Sequence, residues 1–375
     1  MLDHAGAVPA IGLRNRLETP CLLVDLGVLE QNIARMAQMC RSAGMALRPH
    51  AKAHKCAAIG HLQMEAGARG LCVATVGEAE ALVAAGLTDL HVTSTLASPD
   101  KVARLGALMA QGARVSGVVD CAEMVDLFSV TASRLGLVIP LLIDVDMGRH
   151  RAGLSDVAEA RTLGMRIAAC PGLRLAGIQA YAGHLSHMRD HRDRLGGAQA
   201  AAQLIASMRA ALEDLVAGPF VVTGGSTGTV MVDLEMGVFT ELQVGSYVFM
   251  DTEYGCVDLD GHNSTLFEPA LFLQTAVISN RHAGFVTTDG GDKRLASKYG
   301  EPPRIMRGAP AGSTYRALSD EHGRVDLPGG LTLPLDARVE CVIPHCDPTV
   351  NLFDRLHVVR DDDLVAVWPV TGRGA

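Results

Sequence analysis

The chain has 375 residues, of which 48% are hydrophobic and 20% charged, with 40 glycines, 8 phenylalanines, 5 tyrosines and 1 tryptophan; this is a globular composition and excludes a disordered chain. A formal charge of −8 with both signs mixed along the chain leaves no basic footprint, so nucleic acid is not an expected partner. No apolar run approaches the roughly 20 residues that span a bilayer, and MLDHAGAVPAIGLRNRLETP lacks a basic start and an apolar core, so the expectation is a cytoplasmic protein without a membrane partner.

TPCLLVDLGVLEQNIARMAQMCRSAG reads as a strand over residues 21–26, then an amphipathic helix with Leu29, Ile33, Met36 and Met39 on one face. From about residue 46 to 250, eight β-rich runs follow: LRPHAK, GLCVAT, LHVTST, VSGVVD, PLLIDVD, LAGIQAY, PFVVTGG and LQVGSYVFM. Helical patterns such as SPDKVARLGALMAQG separate them. Near-continuously apolar strands alternating with helices predict an α/β fold, a (β/α)8 TIM barrel, with a doubly wound open sheet as the alternative. After about residue 265 only β runs remain: FLQTAVISN, GFVTTDGG, ARVECVIP and DDLVAVWPV. The predicted division is a barrel over 28–262 and an all-β domain from 263–375 that recruits 1–27, because an unpaired early strand would leave a sheet edge open. The nine cysteines form no CxxC pair and read as reduced, mostly core thiols.

Only five lysines occur, at 52, 55, 101, 293 and 298. In ALRPHAKAHK a strand period of two places Arg48, His50, Lys52 and His54 on one face, with Lys52 near the C-terminal end of the first barrel strand, where barrel enzymes keep their chemistry. Crowding by these cations and by Lys55 is expected to disfavour the ammonium form and free the amine for imine formation. The competing expectation is that Lys52 neutralises Asp144 or Asp146. GGSTGT, after the seventh run, can turn successive N–H groups toward an anion, although alone it is a tight turn. VDMGRHRAGL sets Arg149 and Arg151 in the loop after the fifth strand, where each could instead pair with Asp146 or Glu159. IQAYAGHLSHMRD brings Tyr181, His184 and His187 to the barrel mouth, and either histidine suits a general base. In PHCDP an extended backbone would send His345 and Asp347 to one side and Cys346 to the other. Such a pair suits an open octahedral ion such as Mn²⁺ or Mg²⁺, with Co²⁺ able to substitute, or else a turn and a salt bridge.

TPCLLVDL, RPHAKAHK, VDMGRHRAGL, GGSTGT, SDEHG and PHCDPTVNLFD, in this order, together resemble the D-threonine aldolase and D-serine dehydratase family, which has the alanine-racemase-like, fold-type III arrangement for pyridoxal 5'-phosphate (PLP). The resemblance implies that Lys52 carries PLP, with Lys55 as a neighbour. It implies that Gly224, Gly225, Ser226, Thr227 and Gly228 cradle its phosphate and that Arg151 faces its ring, with Tyr181 a further contact. His187 falls where the family has its base, and His184 is the rival. His345 and Asp347 would hold the divalent ion, Mn²⁺ first, with Asp320 and His322 of SDEHG as its outer neighbours. The dehydratase branch resembles H-x-C at this site; Cys346 is one residue short of that position, and Asp347 favours a harder ion and the aldolase branch. The implied activity is retro-aldol cleavage of a small-molecule D-β-hydroxy amino acid, D-threonine giving glycine and acetaldehyde, by a homodimer. A 3-hydroxy-D-aspartate aldolase stays open, with the arginine-rich barrel mouth binding the second carboxylate. So do a dehydratase of D-serine or 3-hydroxyaspartate and a PLP carrier without catalysis. An alanine racemase is disfavoured.

Overall fold

Short apolar runs separated by amphipathic helical stretches set the alternation of elements along the chain. The architecture was obtained as a computed structural model that describes residues 12–375. Strand β1 (Cys21–Asp25) ends at Asp25, whose carboxylate accepts the Val28 N–H and so starts the helix Leu26–Ser42. That helix buries Leu29, Ile33 and Met36, the face expected from its periodicity.

Eight parallel strands follow: β2 (Ala46–Leu47), β3 (Leu71–Val73), β4 (Asp89–Val92), β5 (Arg114–Val119), β6 (Ile139–Val145), β7 (Leu173–Ala180), β8 (Val221–Gly224) and β9 (Glu241–Leu242). They pair in the order β2-β9-β8-β7-β6-β5-β4-β3. The curled sheet meets itself where His50 bridges Cys72 in parallel, the Cys72 N–H donating to Pro49 O at 2.8 Å. This is the predicted TIM-like barrel and not the open sheet. Three of the helices between the strands begin at side-chain caps, with Thr75, Asp156 and Asp190 each accepting backbone N–H of the first turn.

The rest of the chain builds a largely antiparallel sheet: β10 (Leu271–His282), β11 (Phe285–Thr288), β12 (Arg304–Arg307), β13 (Thr314–Ala317), β14 (Gly323–Asp326), β15 (Arg338–Val342), β16 (Arg355–Arg360) and β17 (Asp363–Pro369). As expected, β1 joins it, antiparallel to β10 and parallel to β16. Reading the sequence missed β12, β13, β14 and β16. Arginines punctuate all four, which are short, and β12, mostly exposed, lacks the apolar alternation of a half-buried strand. Arg14, just upstream of β1, is buried in a two-bond pair with Glu340 of β15, at 2.9 and 2.7 Å, which ties the start of the described chain to this sheet.

Candidate active site

The chain after β2 stays extended through His50, with the Arg48 N–H donating to Leu242 O at 3.0 Å and the His50 N–H to Val244 O at 2.9 Å. It then tightens into the turn Ala51–Ala53, which His50 caps by accepting the Lys52 N–H at its Nδ1, 3.4 Å away. Lys52 therefore leaves a turn at the rim of the barrel and not a strand. The predicted alternation fails beyond His50, and with it the cationic crowd. Arg48 enters the barrel to meet Glu241 at 3.0 Å and Asp89 at 2.7 Å, while His54 is fully buried, its Nδ1 accepting the Cys56 N–H.

Lys52 forms an ion pair and hydrogen bond with Asp347, from the other domain. Burial alone would lower the lysine pKa, but the attraction of Asp347 outweighs it and holds the ammonium above the ordinary lysine range. This corrects the expectation of a disfavoured ammonium form. The partner is also neither Asp144 nor Asp146. Asp144, pushed by burial up to about 6, accepts a Gln179 N–H at 2.8 Å, and Asp146 accepts from Gly148 and His150 in its own loop.

Lys52 lies on the wall between two cavities. The inner one, about 110 Å³, is lined by Lys52, Arg151, Tyr181, Gly225, Ser226 and Thr227, and also by Thr93, Gln179 and Gln243, which no sequence motif marked. Its far end is the turn after β8. Gly225 has φ +78°, and Ser226 and Thr229 cap one another across the turn Thr227–Thr229. A Cβ on Gly224 would stand 2.0 Å from Ala180 O and one on Gly228 1.7 Å from Ser186 O, so only glycine fits at either position. The first amides of such a turn have no partner within it. A phosphorylated aldehyde joined to Lys52 thus finds small residues, hydroxyls and unpaired amides opposite its tether, and PLP fits. Arg151 places its guanidinium 5.6 Å from the Tyr181 ring centroid. Arg149 is exposed and lines neither cavity.

The outer cavity, about 360 Å³, shares Lys52, Tyr181, Ser246 and Tyr254 with the inner one and adds His187, His345 and Asp347. His345 is extended, but the short helix Cys346–Val350 begins at the next residue. The expected two-residue projection is therefore replaced by a helical turn that swings Asp347 to Lys52 and keeps Cys346 inside, its Sγ 3.4 Å from Asp347 Oδ1. Asp251, His345 and Cys346 bring one ligand atom each to within 4.8 Å of one another. Burial first, and then Asp251 and Asp347, drive the Cys346 thiol well above its ordinary range. His345 Nδ1 bonds Asp251 at 3.0 Å and lies 3.2 Å from Glu253, which leaves Nε2 as its ligating nitrogen. His345 and the Asp347 carboxylate line one cavity, and Lys52 is the cation Asp347 already attracts. A divalent ion fits.

Asp251 and Glu253 were missed because DTEY has no recognisable spacing. The residues expected in their place do not serve: Asp320 and His322 are exposed between β13 and β14, with His322 bonded to Ser319 at 3.1 Å.

His187 is flanked by Tyr299 and Tyr254, with ring centroids at 4.0 and 4.6 Å, and stands 5.8 Å from the His345 ring. Its Nδ1 is buried without a partner among the described residues. Burial first and His345 second push its pKa down to about 4, so the ring is neutral near pH 7. His184 is exposed and faces Gly148.

Residues 24–253 match the family described as "Alanine racemase, N-terminal domain", and residues 270–359 match "Putative serine dehydratase domain". The chain is 40% identical over 360 residues to a D-threonine aldolase of Arthrobacter sp., covering 96% of this chain and 93% of that protein. It is 35% identical to a 3-hydroxy-D-aspartate aldolase of Paracoccus denitrificans, again over 96% of this chain and 93% of the relative. The solved D-threonine aldolase of Filomicrobium marinum superposes with a TM-score of 0.91 at 34% identity, covering 100% of this chain and 99% of that one. No helix among the described residues is long and apolar enough to cross a membrane. With this fold, a lysine between the two cavities and relatives that span nearly the whole chain, the protein belongs to the D-threonine aldolase and D-serine dehydratase family of PLP enzymes and is a lyase acting on D-β-hydroxy amino acids.

Proposed function

We propose that the chain splits D-threonine into glycine and acetaldehyde with a divalent ion, Mn²⁺ first, held by His345 and Asp347. The observation that carries this reading is the position of Lys52 on the wall between a cavity for PLP and one lined by His187 together with an imidazole and a carboxylate, His345 and Asp347. PLP, when bound, supplies a sink for the electron pair left on Cα. A divalent ion, when bound, supplies positive charge that lowers the pKa of the β-hydroxyl. Lys52 tethers the cofactor, and its ammonium, displaced from Asp347 by the ion, is positioned to return a proton to Cα. The turn from Gly224 to Gly228 anchors the phosphate, with Arg151 and Tyr181 beside the ring. Neutral His187 takes the hydroxyl proton as the Cα–Cβ bond breaks, while Tyr254 and Tyr299 fix its plane and exclude water. Asp251 and Glu253 set the His345 tautomer. Incubation with D-threonine should yield acetaldehyde and glycine, EDTA should abolish the reaction, and Mn²⁺ should restore it. Formation of 2-oxobutanoate and ammonia would defeat the aldolase reading, and full activity after EDTA would defeat the metal.

Behind the phosphate turn, buried Asp233 accepts from Thr229 at 2.5 Å, and burial raises its carboxyl to about 7. Neutral below that pH, it leaves a phosphate unopposed; ionised above it, it repels one. PLP affinity, read by absorbance titration, is therefore expected to fall as pH rises through about 7, and Asp233→Asn should remove that component of the pH dependence.

A further inference from the structure

Residues 181–190, which carry His187, form neither helix nor strand, so the base is placed by whatever holds this segment from outside. Packing closes two sides: a Cβ on Gly228 would stand 1.7 Å from Ser186 O, and one on Gly197 2.5 Å from the Leu185 side chain. A charge holds the third. Arg194, near the start of the helix His191–Leu212, is fully buried. Its Nη1 donates to Met188 O at 2.5 Å and to Arg189 O at 3.3 Å, and its Nη2 donates to Asp258 O.

This is a costly place for a cation. The N-terminal end of a helix dipole repels positive charge, and a buried charge bonded to no carboxylate gives up its hydration without an ionic partner in return. Burial lowers the Arg194 pKa, and Asp258 and Asp190 offset that only in part. What the guanidinium does is join two stretches of chain. The Asp258 N–H donates to Arg189 O at 3.1 Å, and the Val257 N–H to Tyr254 O at 3.1 Å. One stretch carries His187 immediately before Met188; the other carries Tyr254, whose ring stands 4.6 Å from that of His187. No other side chain among the described residues donates to a carbonyl of residues 185–189.

We infer that Arg194 is a positioning residue for His187: its planar fork binds carbonyls on both stretches and so fixes the imidazole against Tyr254 and toward the outer cavity, where the β-hydroxyl proton is taken. The inference rests on the reading of His187 as the base. A lysine keeps the charge but replaces the fork with a single point, which does not reproduce the spread of the two Nη atoms.

The test is a double-mutant cycle on the holoenzyme with D-threonine: wild type, Arg194→Lys, His187→Phe and the double variant. Arg194→Lys is expected to lower kcat about 10- to 100-fold, with KM, PLP absorbance and the circular dichroism spectrum little changed. In the His187→Phe background the same change should lower kcat less than about twofold, because the base it places is gone. Arg194→Gln, with a planar donor and no charge, should behave as the lysine variant does, and it stands in if a buried ammonium prevents folding. An equal loss in both backgrounds, or a loss confined to PLP binding or KM, would overturn the assignment, as would full activity in the Arg194 variants. A His187→Phe enzyme that keeps the wild-type kcat would instead remove the base reading, and this inference with it.

Discussion

A Lys52→Ala variant is expected to lose more than about 10³-fold of its turnover and to show no aldehyde–amine absorbance when mixed with PLP. Borohydride reduction should label Lys52 in the wild type and nothing in the variant. The reason is positional: Lys52 lines both cavities, and of the other lysines only Lys55 and Lys298 line either, both at the outer one. The change also strips a half-buried carboxylate of its cation. Burial would raise the Asp347 pKa, and Lys52 and His345 together hold it well below the usual carboxylate range. The variant should therefore bind Mn²⁺ by calorimetry more readily at neutral pH than the PLP-free wild type, because the ion no longer displaces an ammonium. A variant that stays yellow and active would remove Lys52 from the chemistry.

His187→Phe is expected to lower kcat on D-threonine about 10²- to 10⁴-fold, the usual range for a positioned base. Phenylalanine keeps a flat ring between Tyr254 and Tyr299 and deletes only the nitrogens, so PLP absorbance and KM should change little. Because the wild-type ring titrates near about 4, it is already unprotonated from pH 6 upward. Its acid limb belongs below that range, where the ring gains a proton and can no longer accept one. His184→Phe, at an exposed site facing Gly148, should stay within about threefold. The opposite ranking would move the base to His184.

The barrel, the β domain and the membership of β1 in that domain were readable because they follow from local properties. Periods of two and 3.6 residues and the liability of an unpaired edge are written within a few residues of one another. The glycines after β8 were readable for the same reason, since β8 delivers them to the barrel rim and backbone carbonyls then forbid any Cβ. The short strands β12 to β14 were not, because arginines cover their solvent faces and blur the alternation.

Side-chain direction after a strand ends is decided differently. Residues 48–54 share one polar pattern, yet the turn at Ala51–Ala53 sends Arg48 into the barrel, Lys52 to its rim and His54 into the core. The pairing of Lys52 with Asp347 spans 295 positions, and the bond between Asp251 and His345 spans 94. Contacts of that reach depend on how the barrel mouth meets the sheet beside it, which no local period encodes. Neighbouring residues in PHCDP told which donors were available; the packing of two domains chose the atom each one faces.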